Sequence, residues 1–333
     1  MNYKQLFFIL LTLISYNINA QDPIFTQSSY IQEPLNPGYS GFEDNGRTHV
    51  GLLHRTQWPS LGLKINTQYL YWNKSVDHGP RLGYGFGVSA LRHHESFTNY
   101  SHSQINVNYA QRFNLNGGWF FRPGIEVGAG FKDFQFSNLT LEDQININTG
   151  IINSDTVDPL AINNDNVFFM DISAGLVFEK ESRYGVSYWF GVSVKHLNRP
   201  NISFVQGENK KLDMFYTLNG NYRFPFLGDH SVMLTANYMQ QGQNNRLDIG
   251  SLFQVNQILL GVTAATNPSG GSSNSHILTS INGFLGIEYS QFRFGLSYDF
   301  NVSQIGNTNG VYELSITYLT KCRSCDTDRS RKR

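Results

Sequence analysis

Residues 292–300 read Phe-Arg-Phe-Gly-Leu-Ser-Tyr-Asp-Phe, a two-residue alternation. Phe292, Phe294, Leu296, Tyr298 and Phe300 are apolar or aromatic, whereas Arg293, Gly295, Ser297 and Asp299 are small, polar or charged. Successive side chains of a strand point to opposite faces. This stretch is therefore a strand with one face for apolar surroundings and one for water. The rhythm recurs over 47–57, 62–73, 80–92, 98–113, 118–136, 166–180, 183–197, 211–224, 230–241, 246–256, 258–265, 276–290, 291–301 and 311–320. That makes about fourteen strands, and an even number suits a barrel whose two ends lie on one side of a membrane. No segment of helical period longer than about two turns interrupts them.

Composition makes these membrane strands. Charged residues are 15 %, against about 25 % in a soluble domain. Aromatics reach 14 % and glycines number 31, which suits a barrel with an apolar outer band and a polar lumen. Met1 to Ala20 carries Lys4, an apolar stretch from Leu6 to Ile14 and Asn-Ile-Asn-Ala before Gln21. It reads as a secretory signal peptide cleaved after Ala20, its core too short to span roughly 30 Å of hydrocarbon. Nothing later approaches about 18 consecutive apolar residues, so the mature chain crosses a membrane as strands. The expected division is a signal peptide at 1–20, an irregular segment at 21–46, a transmembrane antiparallel β-barrel at 47–320 and a basic periplasmic tail at 321–333.

Connection lengths give orientation. If the first strand runs outward, the stretches near 137–165, 198–210, 266–275 and 302–310 fall on one side, while Glu181-Ser182, Pro225–Asp229 and Asn256-Gln257 turn tightly on the other. Long extracellular loops and short periplasmic turns mark outer-membrane barrels. Both termini are then periplasmic. The expected lipid-facing ladders include Trp119, Phe121, Ile125, Val127, Ala129 and Phe131, and Phe168, Met170, Ile172, Ala174, Leu176 and Phe178. The opposite faces carry Arg47, Arg55, Arg122, Glu126, Asp171, Lys195, Glu288, Arg293, Asp299 and Glu313. Such groups cannot face lipid cheaply. They either brace the lumen as ion pairs, line a solute path or grip a plug.

Asp22-Pro23 and Asn36-Pro37-Gly38 are turn formers, so 21–46 is not strand. Phe25, Tyr30, Tyr39 and Phe42 argue against a disordered leader. The segment enters the barrel as a partial plug or packs across its periplasmic mouth. Trp58-Pro59 ends the first strand, since proline cannot donate to a ladder. Gly83, Gly85 and Gly87 fall on one strand face and admit close packing in the lumen.

Catalytic and cofactor chemistry is not written in the chain. It has no Gly-x-Ser-x-Gly, His-Glu-x-x-His or phosphate loop, so neither an enzyme nor a cofactor is expected. His93-His94-Glu95 is placed in the second outer loop, without metal. Cys322 and Cys325 lack the further ligands of a zinc site and form a local disulfide or idle thiols in an oxidising compartment. The net charge of +0 gives no field for nucleic acid. The tail concentrates Lys321, Arg323, Arg329, Arg331, Lys332 and Arg333 against Asp326 and Asp328, a patch for anionic lipid or a partner.

Two regions carry a resemblance. The first runs Gln21-Asp22-Pro23-Ile24-Phe25-Thr26-Gln27, then Leu35-Asn36-Pro37-Gly38-Tyr39-Ser40-Gly41, then Arg47 and Arg55-Thr56-Gln57-Trp58-Pro59. The second comprises Leu296–Asn301 and Gly310–Tyr318. Together they resemble the PorP/SprF family of Bacteroidota outer-membrane proteins over essentially the whole mature chain. The resemblance implies a non-enzymatic role in type IX secretion and, in some members, gliding motility. It implies as partners a large secreted adhesin, engaged through its C-terminal sorting domain, and other type IX components, in a membrane of lipid and lipopolysaccharide. It marks Gln21, Asp22, Pro23, Phe25, Asn36, Pro37 and Gly41 as motif residues. The residues alone leave a second reading, a channel for a hydrophobic or small polar solute.

Overall fold

The computed structural model describes residues 22–42 and 47–321, apart from 61, 63, 79–81, 136–138, 147–148, 154, 159–165, 182–186, 206, 227–229, 269–277 and 303–307. The expected signal peptide, Gln21, Cys322, Cys325 and all of the basic tail except Lys321 lie outside the described residues. No described helix is long and apolar enough to cross a membrane.

Fourteen strands close into an antiparallel barrel in which each pairs with its sequence neighbours and the first pairs with the last. They are β1 (Thr48–Gln57), β2 (Ile65–His78), β3 (Leu82–Glu95), β4 (Ser101–Asn116), β5 (Trp119–Asp133), β6 (Val167–Glu181), β7 (Ser187–Lys195), β8 (Phe215–Phe226), β9 (His230–Gln241), β10 (Asn244–Val255), β11 (Ile258–Thr266), β12 (Leu278–Tyr289), β13 (Phe292–Asn301) and β14 (Val311–Leu319). Closure pairs every strand on both sides, as hydrocarbon demands; where β6 outruns β7, Asn198 accepts the Ile172 amide and donates to Met170 O.

Alternation is read on the wall as expected. On β13, Phe292, Phe294, Leu296 and Phe300 are exposed on the outside, with Leu296 at 52 %. Ser297 and Asp299 are buried inside. Aromatic rings line up across strands near one rim: Phe113, Phe121, Phe178 and Phe190 occupy one register row, with centroids 6.3, 4.8 and 5.1 Å apart in turn. That is the girdle geometry of a membrane interface.

The connections after β1, β3, β5, β7, β9, β11 and β13 share one end, here the loop end. Those between the other pairs share the turn end. One connection at the loop end, Gly242-Gln243 between β9 and β10, is as tight as any at the opposite end. Several boundaries differ from the periodicity by three to five residues, β2 ending at His78 rather than 73 among them, and two have a visible cause. β8 begins at Phe215 rather than 211, because Leu212 folds over the rim with Ile202 onto Val167 and Phe169. β3 runs to Glu95, so His93 and His94 belong to a strand paired with β4 and not to a loop. The strand continues because Glu95 caps the turn that follows, its carboxylate accepting the Phe97 and Thr98 amides at 2.6 and 2.9 Å.

The apolar core lies inside, between wall and N-terminal segment. Tyr39 packs with Val177, Trp189, Met233, Leu252, Leu259 and Phe284. Phe25 and Ile31 pack with Leu53, Tyr69 and Tyr71.

Leu296 sits mid-strand on the outer face. Leu296→Arg is expected to destabilise the barrel by about 2–4 kcal/mol if that position is at the bilayer midplane, read from denaturant unfolding in phospholipid vesicles. Ser297→Ala, on the inner face, is expected to cost far less.

Candidate functional site

The lumen is occupied by residues 22–42. Two 3-10 turns, Thr26–Ser29 and Pro37–Tyr39, give the segment its shape. Asn36 caps the second, its side-chain oxygen accepting the Gly38 amide at 2.8 Å, with Pro37 in the favoured first position. An irregular backbone in a closed lumen must find partners for its polar groups, and here the wall supplies them.

Asp22 lies at the loop end. Its amide donates to Gln241 Oε1 at 2.7 Å, and its carboxylate is 2.8 Å from His196 Nε2. Burial alone would raise the Asp22 carboxyl and lower the His196 imidazole. The ion pair outweighs burial in both, holding Asp22 well below the usual carboxylate range and pushing His196 up to about 9. Asp171 Oδ1 stands 2.9 Å from His196 Nδ1 but is misaligned for a hydrogen bond, so it acts as a second negative charge on the ring. Further down, Glu313 on β14 binds three donors. The Thr26 and Gln27 amides reach it at 2.9 and 3.0 Å, and Arg55 Nη1 on β1 at 2.6 Å. Near the turn end Glu33 accepts from Asn73 Nδ2 at 3.1 Å and lies 3.6 Å from His49 Nδ1. Burial raises its carboxyl to about 7.

Residues 35–41 then run crosswise along one register row of the wall. Ser75, Gly85, Ala110, Gly124, Gly175, Ser193 and Thr217 are successive partners from β2 to β8. All are small, and the row is a groove. Leu35 O accepts the Ser193 and Thr217 hydroxyls at 2.7 and 3.2 Å. Asn36 Nδ2 donates to Leu176 O and Val192 O, both at 3.1 Å. Arg122 donates to Gly38 O at 3.1 Å and Ser40 O at 2.8 Å. Gly41 has φ +65 and faces Ser75 and Gly85. A Cβ on Gly85 would stand far inside van der Waals contact with Ser40 O. Trp189 Nε1 donates to Gln32 Oε1 at 3.0 Å, Asn219 donates to the Tyr39 hydroxyl, and Tyr30 meets Phe284 on β12 at 5.2 Å. The segment is thus held around most of the barrel. Cavities of about 270 Å³ at the loop end and 140 Å³ at the turn end flank it.

Of the charged positions selected by alternation, Arg55, Arg122, Glu126, Asp171, Asp299 and Glu313 are buried. The structure brings together Arg55 with Glu313, Lys195 with Glu126 at 3.8 Å, and Arg293 with Glu288 at 2.9 Å. It does not make one cluster of them. Arg293 and Glu288 lie at the turn end, and Arg47 precedes β1 beside Ser75, whose amide its carbonyl accepts at 3.4 Å. Among the motif residues, Asp22, Asn36, Pro37 and Gly41 make the contacts above, Phe25 packs on Tyr69 at 5.8 Å, and Pro23 lines a small cavity with His196 and Lys195. His196, Gln241, Trp189 and Asn219 were not singled out by sequence. Their signal, a polar or aromatic group on an inward register, appears only once strands are aligned.

A closed barrel with an apolar outer belt and a buried polar lumen is an outer-membrane β-barrel. The family model for type IX secretion system membrane protein PorP/SprF matches residues 17–318, and the chain belongs to that family. No match is found among curated proteins. Among solved structures it is similar to CdiB from Acinetobacter baumannii, at 9 % identity and TM-score 0.45, over 82 % of this chain and 60 % of that one. The chain therefore spans less than two thirds of CdiB. It is also similar to the Ralstonia pickettii toluene transporter TbuX, at 10 % identity and TM-score 0.46, over 85 % and 90 % of the two chains. A third is the translocator domain of autotransporter NalP from Neisseria meningitidis, at 10 % identity and TM-score 0.36, over 88 % and 95 %.

Two outcomes are expected. Glu313→Ala strands Arg55 and two amides, costing about 3–5 kcal/mol in vesicle unfolding measurements. Glu33 keeps a proton in the fold up to about 7 that the unfolded chain releases near its ordinary 4.5. The folded state therefore binds more protons between those values, and the stability this gives is lost as pH rises through 7. With the base-catalysed rise of the intrinsic rate divided out, protection of 22–42 against hydrogen exchange should fall above pH 7 relative to pH 5, and Glu33→Gln should flatten the change.

Proposed function

We propose that the chain is a non-enzymatic component of type IX secretion that binds a large exported adhesin through its C-terminal sorting domain and helps secrete it or anchor it at the cell surface. In a motile cell, the anchored adhesin serves gliding. The observation that carries this reading is the occupied lumen. Residues 22–42 are tied to the wall from β1 round to β9 and on β12–β14, which argues against a permanently open solute path and leaves the loop end as the working surface.

That end displays apolar side chains on connections rather than on the lipid-facing wall. Ile151, Ile152 and Val157 in the long β5–β6 connection are exposed, Val157 at 78 %, and so are Phe97 and Leu197. Ile145 and Ile152 pair as a short antiparallel bridge, giving the connection a fixed shape. Apolar residues on an ordered surface outside the belt suit a protein partner. We place this end outside the cell and both termini in the periplasm, because β1 begins and β14 ends at the turn end. Other type IX components are the partners expected there, and lipid and lipopolysaccharide surround the belt.

Deleting the gene should leave one surface adhesin unsecreted or shed into the medium, seen by proteomics of intact cells and culture supernatant. Unchanged surface display of every exported protein would end this reading. In planar bilayers the full chain should show little steady conductance, and removal of 22–42 should open it. A large steady conductance from the full chain would favour solute passage instead.

A further inference from the structure

The wall carries a row of nitrogen groups to which the segment makes no hydrogen bond. At the loop end the register aligns Thr67 with His93, His93 with His102 and His102 with Lys132 across β2 to β5. All four lie on the inward alternation. Thr67 Oγ1 is 2.9 Å from His93 Nδ1, which orients that ring. His102 is 6 % exposed, and its Nε2 is buried with no hydrogen-bond partner. Lys132 is 3 % exposed. Among the described residues its ammonium meets no hydrogen-bond acceptor or carboxylate within bonding distance, only the Phe169 ring at 5.5 Å. The same ring lies 5.8 Å from His102.

Burying an unpaired ammonium opposes folding strongly, and here it sits beside an unsatisfied ring nitrogen. The neighbouring carboxylates are already engaged: Asp22 and Asp171 by His196, Glu126 by Lys195. Asp22 and Glu95 act on the row only through space, and no carboxylate of the described residues is bonded to it.

We propose that His93, His102 and Lys132 form an anion-binding subsite that takes a peptide carboxylate of the exported partner, flanked by apolar side chains. The subsite rests on the partner-binding reading above. The sign follows from the groups, since an ammonium beside two imidazoles repels a metal cation and makes charge-assisted bonds to an oxyanion. The source follows from the side. The row faces the lumen, behind the wall from lipid head groups, and half-buried His93 opens it toward the loop mouth. Val167, Phe169, Ile202 and Leu212, with Phe204 against them, form an apolar shelf beside it, suited to a carboxylate flanked by apolar side chains.

The test uses the full chain in detergent micelles and titration calorimetry with three probes. These are an N-acetylated apolar tripeptide with a free C-terminal carboxylate, its C-terminal amide, and inorganic phosphate. The free acid should bind and the amide should bind at least about 10-fold more weakly. Lys132→Met keeps the stem over Phe169 and removes the charge. It should weaken the acid by about 10-fold or more while leaving heat-modifiable migration of the barrel intact. His102→Gln should weaken it several-fold and carries the same test if Lys132→Met does not assemble. Equal binding of acid and amide, or parental affinity in the variants, would overturn the subsite. Phosphate binding more tightly than the acid, with competition by lipopolysaccharide vesicles, would overturn the peptide assignment in favour of a lipid head group. The gene deletion tests the secretion role separately: loss of the adhesin alongside failed peptide binding would sink the subsite alone.

Discussion

One carboxylate joins the two halves of this architecture. Arg55 on β1 and Glu313 on β14 are register partners across the seam where the barrel closes, and their 2.6 Å pair is buried. Glu313 also takes the amides of Thr26 and Gln27. Two charges removed from water hold each other only when further hydrogen bonds complete their coordination. Arg55 supplies one, and the segment supplies two. The seam and the filling of the barrel are therefore energetically one feature, and each would be poorer without the other.

The rest of the lumen follows the same logic. A wall of alternating residues presents hydroxyls, amides and charges inward, and an empty barrel would leave many of them to disordered water. The segment carries three prolines and two glycines because it must turn repeatedly in a narrow space, and it brings few regular backbone bonds of its own. Side chains of the wall replace them. Ser193 and Thr217 serve Leu35, Arg122 serves Gly38 and Ser40, and Asn36 returns two bonds to carbonyls of β6 and β7. The row of small residues beneath makes room for main chain to lie against main chain.

Most of the wall was legible in the alternation, because a period of two is a local property that survives any closure. Phe292–Phe300 and Phe168–Phe178 show it without help. The start of β8 shifted because tertiary contact overrode pattern: Leu212 is apolar and in phase, yet it is drawn over the rim by Ile202 and Phe169. Glu95 extends β3 through a cap that no periodicity reports. The groove was hidden for a different reason. Gly85, Ala110, Gly124, Gly175, Ser193 and Thr217 stand one per strand, far apart in sequence, and only register makes them neighbours. The same holds for His93, His102 and Lys132, since adjacent histidines in the chain suggested a loop cluster while the true neighbours lie across the sheet.

The seam has a consequence for biogenesis. In order of synthesis the segment comes before every strand, and β14, which carries Glu313, comes last. The strand that completes the cylinder thus bears the group that recognises the filling. A cylinder closing without 22–42 in place would bury Glu313 with only Arg55 for company. Correct assembly is favoured at its final step, and the chain carries, between its N-terminal segment and the strand that closes the barrel, a check on its own completion.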